Sequence, residues 1–203
     1  MTSVPTPHGE YLDRLMRRRS FEALWPLFAL ADKPAKELTE SFSALVHLRP
    51  HLPSEGPFRI IHVGDGAHAR TAALFALKTK GQNISVDPEI NERLVEGWRD
   101  RFGIERFSWR RERVETVAAG LNALPSMPVF VTFVHAHVSV DTVLDHLHHD
   151  GAFTLTCCHP TRQLSSRRTV LAEGEDFGVL SSGRHYQVLE GSGREGALLA
   201  RGG

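Results

Sequence analysis

The sequence is short of the residues on which several classes of protein depend. Only two of its 203 residues are cysteines, and because Cys157 and Cys158 are adjacent they cannot form an ordinary disulfide framework. Net charge is also missing, since 24 Lys and Arg balance 24 Asp and Glu, and charge balance therefore gives no sign of an extended polyanionic partner. We expect a reducing, cytoplasmic setting and no extended nucleic-acid binding by this chain alone.

Long apolar runs and several common motifs are missing as well. No run approaches the roughly eighteen apolar residues of a membrane span, and the polar, proline-bearing first residues lack the apolar stretch of a signal peptide. Neither the phosphate loop G-x-x-x-x-G-K-[ST] nor the hydrolase elbow G-x-S-x-G occurs. We therefore expect no membrane association, and the sequence offers no support for a P-loop enzyme or a serine hydrolase.

What the sequence does contain is a βαβ unit with a glycine turn. The predicted parts are strand Arg59–Val63, turn Gly64–Gly66, a helix over about 69–79 and strand Asn83–Val86. Glycine has no Cβ, so a ligand can approach this loop closely, and the helix would present its N–H groups and positive dipole end to that ligand. Asp87 follows the second strand, where it can accept hydrogen bonds from two ribose hydroxyls. The unit predicts a nucleotide-type site.

The rest of the chain continues this alternation of helices and strands. It predicts an α/β fold: a three-layer, doubly wound, mostly parallel seven-stranded sheet. We expect a C-terminal antiparallel hairpin of Tyr186–Glu190 and Ala197–Ala200. Residues 1–57 would form an N-terminal helical extension and residues 58–203 a Rossmann-like domain. The extension could cap the sheet edge, cover the ligand, or contact a second copy or partner subunit, and the sequence does not choose.

Polar residues follow the predicted parallel strands where each strand ends. In an α/β sheet the carboxyl ends of the strands form the ligand-binding edge. The segments placed there are His62–His68, Asp87, Arg110–Val114, His135–His137 and Cys157–Pro160. Two of them carry candidate general bases, His135 and His159, because imidazole titrates near neutral pH.

This order of elements resembles the class I S-adenosylmethionine-dependent methyltransferases, from about Arg59 to the C-terminus. In that family the first loop reads acid-x-glycine-x-glycine-x-glycine, and an acid ends the second strand. Gly64 and Gly66 match the first two glycines and Asp87 matches the acid. The resemblance implies transfer of a methyl group from S-adenosylmethionine. It implies a cofactor site of His62, Gly64, Asp65, Gly66, His68, Asp87, Arg113, Val114 and His135, with Arg113 and Val114 near adenine and His135 near the methyl group.

Two positions depart from the family pattern. His62 stands where the family has the first acid, which supports the amino group of the cofactor through the loop. His68 stands where the family has the third glycine, and its side chain would narrow the pocket. Either the cofactor is held differently, or the chain is a catalytically degenerate member that serves as a binding module or partner subunit.

The acceptor side has a narrower likeness. The segments His135-Ala136-His137 and Cys157-Cys158-His159 are similar to a branch that includes tRNA 2′-O-methyltransferase-like proteins, although that branch has cysteine and glycine after His-Ala. We expect His135 and His159 to face an acceptor that is either RNA or a small molecule. Three basic residues after the fifth strand could contact an anionic acceptor: Arg162, Arg167 and Arg168.

Two other ligands remain open on the sequence. Zinc would suit the histidines and cysteines at the ends of strands four and five, but adjacent cysteines are awkward for one ion, and small buried cysteines beside pocket histidines are the better interpretation. NAD is the main enzymatic competitor, because Asp87 would serve its ribose equally well. The predicted terminal hairpin and the incomplete G-x-G-x-x-G, with Ala69 at the last position, disfavour NAD.

Overall fold

The protein is described by a computed structural model over residues 10–17, 21–156 and 160–192. Its helices are α1 (Glu10–Met16), α2 (Phe21–Phe28), α3 (Pro34–Leu48), α4 (Arg70–Lys78), α5 (Glu92–Phe102), α6 (Val114–Asn122), α7 (Val140–His146) and α8 (Pro160–Gln163). Its strands are β1 (Arg59–Val63), β2 (Gln82–Val86), β3 (Phe107–Arg110), β4 (Val129–Val134), β5 (Gly151–Leu155), β6 (Val170–Glu175) and β7 (His185–Glu190).

The seven strands form one sheet in the order β3-β2-β1-β4-β5-β7-β6. The first five are parallel; β1, for example, places Arg59 opposite Gln82 of β2 and opposite Val129 of β4. Strand β7 runs antiparallel to both β5 and β6. The strand order reverses beside β1, between β1 and β4, and this is the switch point at which doubly wound sheets bind ligands. The predicted α/β fold is confirmed.

The C-terminal hairpin uses a different partner strand from the one expected. β7 pairs with β6, which precedes it, whereas the predicted partner Ala197–Ala200 lies outside the described residues. Strand β6 is hard to recognise because it lies at the sheet edge and none of its six residues is fully buried. Its sequence, with two glutamates and Gly174, therefore lacks the alternating apolar pattern of a half-buried strand.

Helices cover both faces of the sheet. On one face, apolar residues of α1 to α5 pack with Ile60, Phe130 and Phe153. On the other, α6 and α7 pack against a second set of strand residues that includes Ile61 and Phe133. Because successive side chains of a strand point to opposite faces, the neighbours Ile60 and Ile61 enter different cores. This arrangement is the predicted three-layer sandwich.

Helix α3 is built into the layer that also contains α4. Pro34 begins it, a position where the missing N–H costs nothing, and it contacts α4, β4 and β5. Asp176, after β6, accepts hydrogen bonds from Tyr11 at 2.7 Å, Ser43 at 2.6 Å and His47 at 2.9 Å. One carboxylate thus joins α1 and α3 to the hairpin. The chain division at residues 57 and 58 stays a prediction.

None of the helices in the described ranges combines the length and the apolar character needed to cross a membrane.

Candidate cofactor site

A cavity of about 630 Å³ opens at the carboxyl ends of β1, β2 and β4. Its size falls within the range of small-molecule sites. Its wall is formed by α3 and by the loops after β1, β2, β3 and β4. Eight of the nine residues expected around the cofactor line it: Gly64, Asp65, Gly66, His68, Asp87, Arg113, Val114 and His135.

The two glycines after β1 are suited to their positions for different structural reasons. Both have φ of +70°, a left-handed conformation that side chains disfavour. A Cβ at Gly64 would lie 2.7 Å from the Cβ of Ala136, so this glycine lets the loops after β1 and β4 touch. A Cβ at Gly66 would have no neighbour within 4 Å and would project into open space. Gly66 is therefore the position where the backbone is open to a ligand.

Asp65 occupies the N-terminal end of α4. Its carboxylate accepts the backbone N–H groups of Thr71 at 2.9 Å and Ala72 at 3.0 Å, which replaces the missing cap at Ala69. Burial raises the pKa of Asp65 to about 6, against the lowering effect of these hydrogen bonds. The expectation that α4 offers its N–H groups to a ligand is wrong for these two groups, because the loop provides its own acid.

Asp87 holds the glycine loop in place. Its two carboxylate oxygens accept the N–H groups of Gly66 at 2.9 Å and Glu89 at 2.7 Å. Each oxygen has a second lone pair, so the same carboxylate can still accept from hydroxyls placed in the cavity. The residue is 8% exposed, and its hydrogen bonds to the two N–H groups fix the position of the carboxylate before any ligand arrives.

His62 does not belong to the cavity wall among the described residues. Its ring lies inside the sheet core, with Nε2 at 3.0 Å from Asn83 Oδ1 and Nδ1 at 2.8 Å from Thr132 Oγ1. Burial lowers the pKa of His62 to about 4, so the imidazole is neutral at pH 7. The residue at the expected acidic position is therefore a neutral hydrogen-bonding link between β1 and its two neighbouring strands.

His68 lies at the cavity wall, held against an aromatic ring. It stacks on Trp98 with centroids 5.6 Å apart and planes at 22°. Arg70 also lies over Trp98, at 5.8 Å, and pairs with Glu37 of α3. Burial lowers the pKa of His68, and the neighbouring Arg70 charge lowers it further. Its ring is therefore packed beside α5.

The α3 side of the cavity was not identified from the sequence. Lys36 and Glu40, one turn apart on α3, both line it. Lys36 Nζ lies 3.0 Å from His135 Nε2 and 3.4 Å from Glu40 Oε1, and Glu40 Oε2 contacts the same His135 nitrogen. Their spacing places them on one helical face, but nothing in the sequence indicates that this face meets the end of β4.

His135 adopts an unusual backbone conformation. Its φ of +59° is left-handed, which costs free energy for a residue with a side chain. This conformation occurs where the chain leaves β4, next to the contact between Ala136 and the glycine loop. Such outliers persist where the surrounding structure requires them, and they often mark functional sites.

Carboxylates dominate the charge of the cavity wall. Seven lining residues are acidic and three are Lys or Arg. The acidic residues are Glu37, Glu40, Asp65, Asp87, Glu89, Glu112 and Glu115, and the basic ones are Lys36, Arg70 and Arg113. A wall of this composition favours cationic ligands over polyanionic ones.

The other expected site residues are either outside the described ranges or away from the cavity wall. Cys157, Cys158 and His159 fall outside the described residues, so their part in an acceptor site or a zinc site stays a prediction. Within the described ranges no group of three or more metal-ligating side chains occurs. Arg167 and Arg168 are not directed to the cavity wall; both contact Asp145 of α7.

The sheet order, with β7 inserted antiparallel between β5 and β6, is that of the class I methyltransferase fold. Among solved structures, MtNAS in complex with MTA and tNA matches at 14% identity with a TM-score of 0.54, over 92% of this chain and 74% of that one. A mutant of MtNAS in complex with S-adenosylmethionine matches at 14% identity and a TM-score of 0.53, over 91% and 76%. No family model and no curated protein matches the chain.

Proposed function

We propose that the protein transfers a methyl group from S-adenosylmethionine to an RNA or small-molecule acceptor in the cytoplasm. The observation that carries the proposal is the carboxylate-rich cavity at the switch point of a class I methyltransferase fold. S-adenosylmethionine carries a positive sulfonium and a positive ammonium, so an acidic wall suits it. The structures of MtNAS support the fold, and the ligands in those structures suggest which compounds to test.

The residues present fit the cofactor. Gly66 leaves open space where a side chain would stand, and Asp87 can accept hydrogen bonds from ribose hydroxyls. Arg113 and Val114 line the wall beyond β3, where they would border the adenine. When bound, S-adenosylmethionine supplies an electrophilic methyl carbon. The protein would then position an acceptor near His135, and this orientation can account for much of the rate.

The capping of α4 disfavours NAD. A dinucleotide places its pyrophosphate against the N–H groups at the start of the first helix. Here the carboxylate of Asp65 accepts two of those groups, so a phosphate would meet a negative group that already occupies its donors. A sulfonium compound carries no phosphate and avoids this conflict.

Isothermal titration of the purified protein tests the proposal. We expect binding of S-adenosylmethionine, of S-adenosylhomocysteine and of 5′-methylthioadenosine, and none of NAD. Incubation with candidate RNA and small-molecule acceptors, followed by mass spectrometry, should then show S-adenosylhomocysteine as the product. If none of the three adenosyl compounds binds, the methyltransferase proposal fails and the protein is a non-catalytic module. If 5′-methylthioadenosine accumulates instead, a different carbon–sulfur bond has been cleaved.

A further inference from the structure

Glu40 is a completely buried acid that belongs to the cavity wall. Neither of its carboxylate oxygens accepts a hydrogen bond of good geometry within the described part of the chain. Two nitrogens lie close to it, Lys36 Nζ and His135 Nε2. Burying a carboxylate without directed donors is costly, so this arrangement calls for a function that benefits from it.

The pair of charges on α3 matches one chemical group closely. Lys36 Nζ and Glu40 Oε1 are 3.4 Å apart, so the cavity presents a cation and an anion side by side. An α-amino acid group carries an ammonium and a carboxylate on one carbon. Its ammonium can donate to Glu40 while its carboxylate pairs with Lys36, whose side chain is 28% exposed.

We propose that Lys36, Glu40 and His135 form a binding site for an α-amino acid group. The inference rests on the proposed function, because S-adenosylmethionine carries such a group on its methionine arm; an amino acid acceptor would carry another. His135 is the positioning residue of this site, since its contacts hold Glu40 and Lys36 at the end of β4. The site provides the carboxylate that His62, turned into the sheet core, does not provide.

Two ligands that differ only in the amino acid arm make the test specific. S-adenosylhomocysteine has the arm, and 5′-methylthioadenosine lacks it while keeping the adenosine and the thioether. Both are titrated into the wild type, Glu40→Gln and Lys36→Met. We expect each variant to bind S-adenosylhomocysteine about tenfold more weakly or worse, because a charged hydrogen bond is lost. Affinity for 5′-methylthioadenosine should stay within about twofold, which also shows that the variants are folded.

A matched control and a second ligand complete the design. Glu96→Gln makes the same chemical change on the exposed face of α5 and should leave both affinities unaltered. L-alanine is also titrated into protein saturated with S-adenosylhomocysteine. If Glu40→Gln leaves both adenosyl affinities intact but abolishes L-alanine binding, the amino acid group belongs to the acceptor.

The remaining outcomes overturn the inference. The inference fails if Glu40→Gln weakens the binding of both adenosyl ligands equally, or if it changes the affinity for none of the three ligands. In either case the Lys36, Glu40 and His135 cluster has only a structural role. Failure of the proposed function gives a different result, because the wild type itself would then bind neither adenosyl compound.

Discussion

The two sides of the cavity hold their acids in different ways. On the loop side, which is the side of β1 and β2, each oxygen of Asp65 and Asp87 accepts a backbone N–H from a nearby loop or helix end. On the side of α3, the contacts that Glu40 makes within the described ranges are with the side chains of Lys36 and His135. The first arrangement is preorganised by local backbone and needs no distant residue. The second depends on packing of α3 against the ends of β4 and β5, so the two sides should respond differently to mutation.

The largest effect is expected from a substitution that destabilises the packing of the α3 side and leaves the loop side intact. Asp176→Asn replaces an acceptor of three side-chain hydrogen bonds with an amide, and a buried network broken in this way costs about 3 kcal/mol. Urea unfolding followed by circular dichroism measures the loss. S-adenosylhomocysteine should then bind more weakly while 5′-methylthioadenosine is less affected, since the loop side stays intact. Glu175→Gln, at the exposed neighbouring position, serves as control; equal stability of the two variants would contradict the expectation.

Lowering the pH should destabilise the protein through Asp176, as the Asp176→Asn substitution does. Hydrogen bonds from His47, Ser43 and Tyr11 lower the pKa of Asp176 to about 2, although burial opposes them. The stabilisation it provides is therefore complete above its usual pKa of 3.8 and is lost as the pH falls toward about 2. In Asp176→Asn the free energy of unfolding should fall less between pH 4 and pH 2 than in the wild type.

The next largest effect is expected from a substitution on the loop side that lowers ligand affinity. Asp87→Ala removes the proposed ribose acceptor together with the anchor of the Gly66 and Glu89 N–H groups. We expect S-adenosylhomocysteine and 5′-methylthioadenosine to lose affinity alike, by about thirtyfold, because both carry the ribose and the lost hydrogen bonds involve a charged group. Titration calorimetry gives both values. Asp100→Ala, at an exposed acid of α5, should bind as the wild type does, and a loss confined to S-adenosylhomocysteine would rule out a ribose role.

A smaller effect is expected from removing a hydrogen bond that connects the α3 side to the loop side. Ser41 of α3 and Thr71 of α4 are joined by a buried hydrogen bond of 3.0 Å, and Thr71 also donates to Asp65. Ser41→Ala should cost about 1 kcal/mol in the free energy of unfolding, the net value of one hydrogen bond. Ser54→Ala, in the exposed loop before β1, provides the comparison in the same urea experiment, and indistinguishable midpoints would show that this bond does not couple the helices.

The side of β1 and β2 should also show a pH dependence of its stability. Because the pKa of Asp65 is raised from 3.8 to about 6, the folded state binds a proton more tightly than the unfolded state. Its contribution to stability is complete below pH 3.8 and is lost as the pH rises through about 6. Wild type should therefore lose stability relative to Asp65→Asn between pH 4 and pH 6, as measured by urea unfolding. If the free energies of unfolding of the two proteins change in parallel with pH, this prediction is refuted.

The sequence predicts the loop side well because that side is local. The bounds of β1 are the predicted ones, and Asp87 lies at the cavity where its position after β2 places it. Motif position predicts that His62 contacts the cofactor, but on the strand its side chain enters the core between Asn83 and Thr132. Motif position and side-chain direction are different properties, and only the second decides contact.

The α3 side could not be predicted because it depends on tertiary packing. The sequence predicts an N-terminal helical extension, but it is equally compatible with three placements of that extension. Lys36 and His135 are 99 positions apart, and no local rule connects them. Edge strand β6 was missed for a related reason, since its partner β7 rather than its own apolar pattern defines it.

The bonds to Asp176 also determine when the site can form during synthesis. Chains leave the ribosome from the N-terminus, and early segments fold first only if their partners are already present. Ser43 precedes Asp176 by 133 residues, and α3 packs against β4 and β5, which follow it in the chain. Helix α3 can therefore complete its contacts with the sheet and with Asp176 only after β4, β5 and Asp176 have been translated. The nascent protein would acquire the side of β1 and β2 first and the complete α3 side only after Asp176 has been translated.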